Sequence, residues 1–302
     1  MSTKLLGHLR KMSHQIKDDS SVDYSLRVYS PELVSQQQEA KNPDENNFKI
    51  LEPLNKYLGK KIKLEYQDQI NCINCGRKTN KSFSQGYCFP CMNALAECDT
   101  CIIKPELCHF DRGTCRDSEF GKTQCNIDHS IYLSLTSGVK IGVTRQFQEK
   151  TRWVDQGAVQ ALRVITVKRR WHAGLIEVEI AKNMADKTNW RRMLKNEYDD
   201  VNLEEMRTEV LENIKEMIEI AEFDDDLSYI IDEKLTTKDL NQEIQEIKYP
   251  VLKYPTKLSS FNLDKNPLVE GTLEGIKGQY LILDTGVINL RKYAGYLVEF
   301  SS

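Results

Sequence analysis

Cys72-Ile73-Asn74-Cys75 and Cys88-Phe89-Pro90-Cys91, with twelve residues between them, decide how the first half of this chain is read. Two C-x2-C knuckles place four thiolates at the corners of a tetrahedron around one zinc ion. The polar stretch 77–85 between them is too short for a hydrophobic core, so the metal must supply much of the local folding energy. Outward from this pair, Cys98-Asp99-Thr100-Cys101 is a third C-x2-C, and Cys108, Cys115 and Cys125 follow. All nine cysteines of the 302-residue chain fall within 54 residues. The odd count argues against a complete disulfide framework, and in a reducing compartment such a cluster reads as metal-binding. The expectation is two structural zinc ions. The first is held by Cys72, Cys75, Cys88 and Cys91; the second is assigned to Cys98, Cys101, Cys115 and Cys125. Cys108, His109 and His129 stay open as alternative ligands of the second ion. Closed tetrahedral sites of this kind clamp a fold and offer no open position for catalysis.

On either side of the cysteines the patterns alternate. Tyr24-Ser25-Leu26-Arg27-Val28-Tyr29 and Lys61-Ile62-Lys63-Leu64-Glu65-Tyr66 have the period of half-buried strands, while 35–47 is polar and helix- or loop-prone. Toward the C-terminus, 268–275, 280–283, 288–291 and 296–300 read as strands punctuated by Gly271, Gly275, Gly278 and Gly286. They predict a small antiparallel sheet or barrel that pairs with the N-terminal strands. Five segments result: a β-rich 1–70, a cysteine module 71–128, an α/β domain 129–196, an acidic helical segment 197–245 and a β segment 246–302. The fold class is α+β. A net charge of -3 and 40% hydrophobic residues describe a chain with a core and no global affinity for polyanions. No stretch approaches the roughly 20 apolar residues of a membrane span, and no secretory signal is recognised, so a cytoplasmic protein is expected.

Charge is uneven along the chain. Residues 137–195 carry thirteen Lys/Arg against five Asp/Glu, and residues 197–233 carry two against fifteen. In the acidic part Leu203, Met206, Val210, Ile214, Met217 and Ile218 recur at helical spacing, which predicts a solvated amphipathic helix. The alternative is a polyanion mimic that covers the basic segment.

The basic segment begins with His129-Ser130-Ile131-Tyr132-Leu133, a Ser137-Gly138 turn, and Val139-Lys140-Ile141-Gly142. Helix-forming residues around Arg152, a strand at 161–167 and a helix at 173–181 with Glu177 come next. This order resembles the GIY-YIG nuclease domain over about 65 residues. Over most of its length the chain also resembles an uncharacterised bacterial family, domain of unknown function 2797, through its cysteines and Gly275-Ile276-Lys277-Gly278-Gln279-Tyr280. The nuclease resemblance implies phosphodiester hydrolysis with Mg2+ or Mn2+. It implies that Tyr132 helps activate water, that Lys140 stands where the second motif has a tyrosine, and that Arg152 (or Arg145) steadies the phosphate. Glu177 (or Glu179) would hold the cation, and Asn189 would match a trailing asparagine. Arg169, Arg170, Arg191 and Arg192 would add salt-dependent phosphate contacts. The expected partner is therefore nucleic acid, DNA or RNA, and no membrane. Each residue also has a plainer role: Tyr132 as core, Lys140 and Glu177 as solvated charges, Asn189 as a helix cap. A non-catalytic nucleic-acid-binding module and a zinc-clamped protein-interaction scaffold are the competing functions.

Overall fold

The computed structural model describes residues 3–30, 32, 49–182, 184, 188–220 and 243–302. The chain divides into two units, one of Met1–Ala94 with Lys248–Ser302 and one of Leu95–Ile247. The cysteine stretch expected as one module at 71–128 is split between them: Cys72 to Cys91 belong to the first unit and Cys98 to Cys125 to the second.

The first unit is an antiparallel sheet. Its N-terminal strands are β1 (Lys4–Leu9), β2 (Ser13–Ile16), β3 (Val22–Tyr29), β4 (Lys49–Pro53), β5 (Lys61–Asn71) and β6 (Lys78–Thr79). In β3 the alternation is clean, with Val22, Tyr24, Leu26 and Val28 buried and Asp23 exposed, as a strand with one core face requires. A short helix α1 (Phe89–Ala94) closes this part.

The second unit carries a four-stranded antiparallel sheet. Three of its strands come in sequence, β7 (His129–Leu135), β8 (Val139–Arg145) and β9 (Gln160–Val167), and β10 (Gln245–Glu246) is added at the edge. Their order is β10-β9-β7-β8, so β7 is an inner strand, and every one of its residues is buried. Helices α2 (Glu149–Asp155), α3 (Arg170–Ala181), α4 (Trp190–Leu194) and α5 (Leu203–Ile220) surround it. The core joins Ile131, Leu133, Leu162 and Val164 of the sheet to Ala173, Ile176 and Ile180 of α3 and to Leu203, Val210 and Ile214 of α5. Helix α5 is thus amphipathic, with its apolar stripe on the sheet and Glu204, Glu205 and Glu209 exposed. The remaining acidic residues, 221–242, lie outside the described residues, as does the polar stretch 35–47.

The chain then returns to the first unit with β11 (Leu268–Lys277), β12 (Tyr280–Leu283), β13 (Gly286–Asn289) and β14 (Tyr296–Ser301). The sheet runs β13-β12-β11-β5-β14-β1-β3-β2, with β4 on β3 and β6 on β5. Strand β14 lies between β1 and β5, in register Lys4↔Ser301 on one side and Phe300↔Leu64 on the other. The C-terminal strands therefore do not form a barrel of their own. They complete an open sheet whose outer strands β13 and β2 do not pair with each other. No described helix is long and apolar enough to cross a membrane.

Candidate functional site

Three groups of chemically active side chains stand out. The first is the knuckle pair of the first unit. Strand β5 runs into Cys72, whose N–H donates to Arg77 O at 2.9 Å, and Gly76 N–H returns to Cys72 O at 3.0 Å. Ile73 N–H donates to Gly86 O at 2.8 Å, which ties the first knuckle to the approach of the second. The sulfurs of Cys72, Cys75, Cys88 and Cys91 consequently lie within 4.8 Å of one another. Cys75 and Cys88 are 3.7 Å apart. A tetrahedron with zinc–sulfur bonds of 2.3 Å has an edge of about 3.8 Å, so the spacing fits one zinc ion. Asn74 Nδ2 donates to the Cys91 sulfur at 3.4 Å, the kind of outer contact that orients a ligand. Burial pushes the Cys91 thiol up to about 12 and raises Cys72. Burial also works to raise Cys75, but the Arg77 backbone and the neighbouring thiols outweigh it and bring Cys75 down. A divalent cation bound to the four sulfurs would offset part of their mutual repulsion. This cysteine cluster can hold a zinc ion.

The second group surrounds a cavity of about 10 Å³ in the second unit, lined among others by Cys101, Cys108, Cys115 and Cys125, with Asp99 and His109 at its wall. Cys101, Cys115 and Cys125 were expected at the second zinc. Cys98, expected with them, does not line the cavity, and Cys108 does. Cys98 ends one 3-10 turn (Ala96–Cys98) and Cys101 belongs to the next (Thr100–Ile102). The ligand atoms of Asp99, Cys101 and His109 lie within 4.8 Å of one another and could hold a metal ion. Asp99 Oδ1 caps the second turn through Cys101 N–H at 3.3 Å, and its Oδ2 is 2.7 Å from Arg116 Nε. His109 Nδ1 is 2.8 Å from the Thr114 hydroxyl, and its Nε2 lies 3.6 Å from Asp99 Oδ2. His129 is buried in β7, with Nδ1 2.7 Å from Ile127 O. Burial, then the charges of Asp99, Cys108 and Cys125, push the Cys101 thiol up to about 12.

The third group lies on β7, β8 and α2. Gln156 has one amide orientation that satisfies all its neighbours. In it the oxygen accepts from Lys140 Nζ at 3.2 Å and from Arg152 at 3.0 and 3.2 Å, and the nitrogen donates to the Tyr132 hydroxyl at 3.0 Å. Tyr132, Lys140 and Arg152 are thus joined by Gln156, a residue that sequence reasoning passed over. Glu177 on α3 acts electrostatically on both Tyr132 and Arg152. The Tyr132 ring packs edge-on against Trp153 with centroids 6.1 Å apart. Across the ladder it lies over Gly142, where an added Cβ would come within 2.6 Å of its hydroxyl, so only glycine admits the tyrosine here. Burial raises the Tyr132 phenol above its ordinary range, against the pull of Arg152.

Other expected residues are occupied elsewhere. Asn189 caps α4 by accepting from Arg191 and Arg192 N–H. Arg145 donates to Gln124 O and Gln148 Oε1, Arg170 to Ile102 O, and Glu179 pairs with Lys182. Arg169 faces Asp111 at 3.4 Å, Arg191 stacks on Trp190, and Arg192 pairs with Asp199 at 2.9 Å. No curated protein and no solved structure matches this chain. Residues 59–298 match the family described as "Protein of unknown function (DUF2797)", and the chain belongs to that family.

Proposed function

We propose that this chain is a zinc-containing nucleic-acid-binding protein whose second unit hydrolyses phosphodiesters with a divalent cation, in the manner of a GIY-YIG nuclease. The observation that carries the reading is the convergence of Tyr132, Lys140, Arg152 and Gln156 on one another, with Glu177 in electrostatic reach. In this reading Glu177 supplies the one carboxylate that Mg2+ or Mn2+ needs when water and phosphate oxygens fill its other positions. Arg152 meets the charge that develops on the phosphate. The raised Tyr132 phenol keeps its proton at neutral pH and orients water or phosphate as a hydrogen-bond donor. Asn189 serves indirectly, by fixing the start of the helix that carries Arg191 and Arg192.

One observation favours a second reading, a non-catalytic binding module on the same fold. Tyr132 has no exposed surface, so its hydroxyl meets substrate only if the cluster opens. Incubation of the full chain with single-stranded, duplex and branched DNA and RNA, with Mg2+ or Mn2+, separates the two. Cleavage that falls at least a hundredfold in Glu177→Ala and Arg152→Ala, with binding retained, supports the nuclease. Salt-dependent binding without cleavage, unchanged in Glu177→Ala, supports the module. Absence of both activities rejects the proposal.

A further inference from the structure

A mixed set of metal donors lies on the short turns of the second unit, apart from whatever the chain does to nucleic acid. Asp99, Cys101 and His109 bring a carboxylate oxygen, a sulfur and a ring nitrogen within 4.8 Å of one another. Local structure explains the convergence. Asp99 caps the 3-10 turn Thr100–Ile102 and Cys101 sits inside that turn, so one cap fixes both. His109 opens the turn Phe110–Arg112. Gly113, at φ +69°, ends that turn in the left-handed region and returns Thr114 to the His109 ring.

Hydrogen bonding decides what each donor presents. The Thr114 hydroxyl donates to His109 O at 3.3 Å, so it meets Nδ1, 2.8 Å away, with a lone pair. This assigns the proton of the neutral ring to Nδ1. Nε2 then shows a lone pair of its own to Asp99 Oδ2 at 3.6 Å. Two acceptors turned toward each other repel, and the distance is too long for a hydrogen bond. A cation between them replaces the repulsion with two bonds. Zinc bonds to oxygen and nitrogen of about 2.1 Å give a tetrahedral edge of about 3.4 Å, close to that separation.

The donors are also held from behind. Asp99 Oδ1 accepts from Cys101 N–H at 3.3 Å and Oδ2 lies 2.7 Å from Arg116 Nε, which leaves each oxygen a further lone pair. Arg116 in turn donates to Leu95 O at 3.1 Å. A hydrogen-bonded carboxylate and a ring fixed through its other nitrogen are the outer contacts that orient metal ligands. One thiolate and one carboxylate balance the charge of a divalent ion. The side chains of Asp99 and His109 keep 13% and 25% of their exposure, so solvent reaches the group. The cavity that all three line, about 10 Å³, has room for one water-sized molecule. Cys115 lines it too, but its thiol donates to Asp117 O at 3.2 Å and is not one of the three converging donors.

We propose that Asp99, Cys101 and His109 form a second metal centre of the zinc class, with three protein donors and a fourth position, toward the cavity, that takes water or a small anion. Three protein ligands and one exchangeable position are the layout of zinc sites that act on a bound molecule, in contrast to the closed knuckle cluster.

Full-length chain purified without chelator is analysed for metal and by X-ray absorption at the zinc edge. The expected result is two zinc ions per chain with an average of about 2.5 sulfurs each, one four-sulfur site and one single-sulfur site. One zinc per chain in an all-sulfur shell overturns the centre, and two zinc ions that are both all-sulfur overturn the donor set. Chain expressed with Co2+ then tests the fourth position. Azide should change its visible absorption, and a spectrum that azide leaves unaltered overturns the open site. Substitutions repeat the test: Asp99→Asn and His109→Gln each lose one ion, and Cys115→Ser keeps both. The reverse pattern overturns the assignment. The absorption measurements use the unmutated chain, so a misfolded variant does not leave the question open.

Discussion

The two groups of cysteines differ in how much local order surrounds them. In the first unit two knuckles grow from β5 and lead into α1, and each brings its pair of sulfurs together within four residues. In the second unit the cavity cysteines come one at a time, from positions 101, 108, 115 and 125, on short turns rather than on paired knuckles. The first cluster is an ornament on a fold that has a large apolar sheet beside it. The contrast teaches that ligand spacing reports geometry only where the intervening chain is itself a stiff turn.

The largest expected effect breaks the comparison at its strong end. Cys88→Ser removes a buried ligand of the knuckle cluster. Binding energy at structural zinc sites is folding energy, on the order of 10 kcal/mol for small zinc domains, and the adjoining sheet absorbs part of the loss. The variant should lose one zinc ion and show a cooperative loss of β-sheet signal at a lower temperature by circular dichroism. Cys125→Ser should keep that ion, and the far-ultraviolet signal should change little, because the turns around it contribute almost no regular structure.

The next effect compares the units through pH. His8 lies in β1 and His129 in β7, and burial lowers each to about 4. An imidazole whose folded value lies below its unfolded value of about 6.5 favours the unfolded chain as acid is added. Its contribution to stability is complete above pH 6.5, declines as pH falls toward 4, and stays level below that. Each histidine accounts for about 3 kcal/mol across this window. Denaturant midpoints measured between pH 7 and 4 should fall, and His129→Phe should flatten the slope for the second unit alone. An unchanged slope in His129→Phe would show that the buried imidazole is already charged.

The smallest effect sharpens the comparison at its weak end. Arg170→Met removes an enclosed guanidinium beside Cys125 and leaves the knuckle cluster untouched. The guanidinium donates to Ile102 O, and its Nε is buried with no hydrogen-bond partner. Loss of the hydrogen bond is offset by removal of a desolvated polar group, so the denaturant midpoint should shift by no more than about 1 kcal/mol. Release of metal from the knuckle cluster to a chromogenic chelator should be unchanged in the same variant.

Much of this was legible in the sequence, for physical reasons that differ by region. The alternation of Val22, Tyr24, Leu26 and Val28 is enough to find a strand, and the stripe from Leu203 to Ile214 is enough to find a helix. Cys72, Cys75, Cys88 and Cys91 were readable because C-x2-C fixes its own geometry. The same pattern at Cys98 and Cys101 spans two successive 3-10 turns, so its spacing alone does not fix a ligand geometry. The split of the cysteine stretch between two units has no local signal: it depends on β14 returning to lie between β1 and β5. Gln156 was missed for a similar reason. A neutral amide announces no chemistry until three other side chains are found around it.

The position of β14 also dictates a timetable. The first unit needs residues on both sides of the second, so the sheet that supports the knuckle cluster cannot close until the strand ending at Ser301 has been made. The second unit is continuous in sequence from Leu95 to Ile247 and is complete long before that. During synthesis the inserted unit is therefore the first to mature, while Met1–Ala94 waits as an unfinished half. Metal captured early by Cys72 and Cys75 would hold those two thiols through that delay, and a stall before β14 is made would strand the whole first unit rather than clip one strand from it.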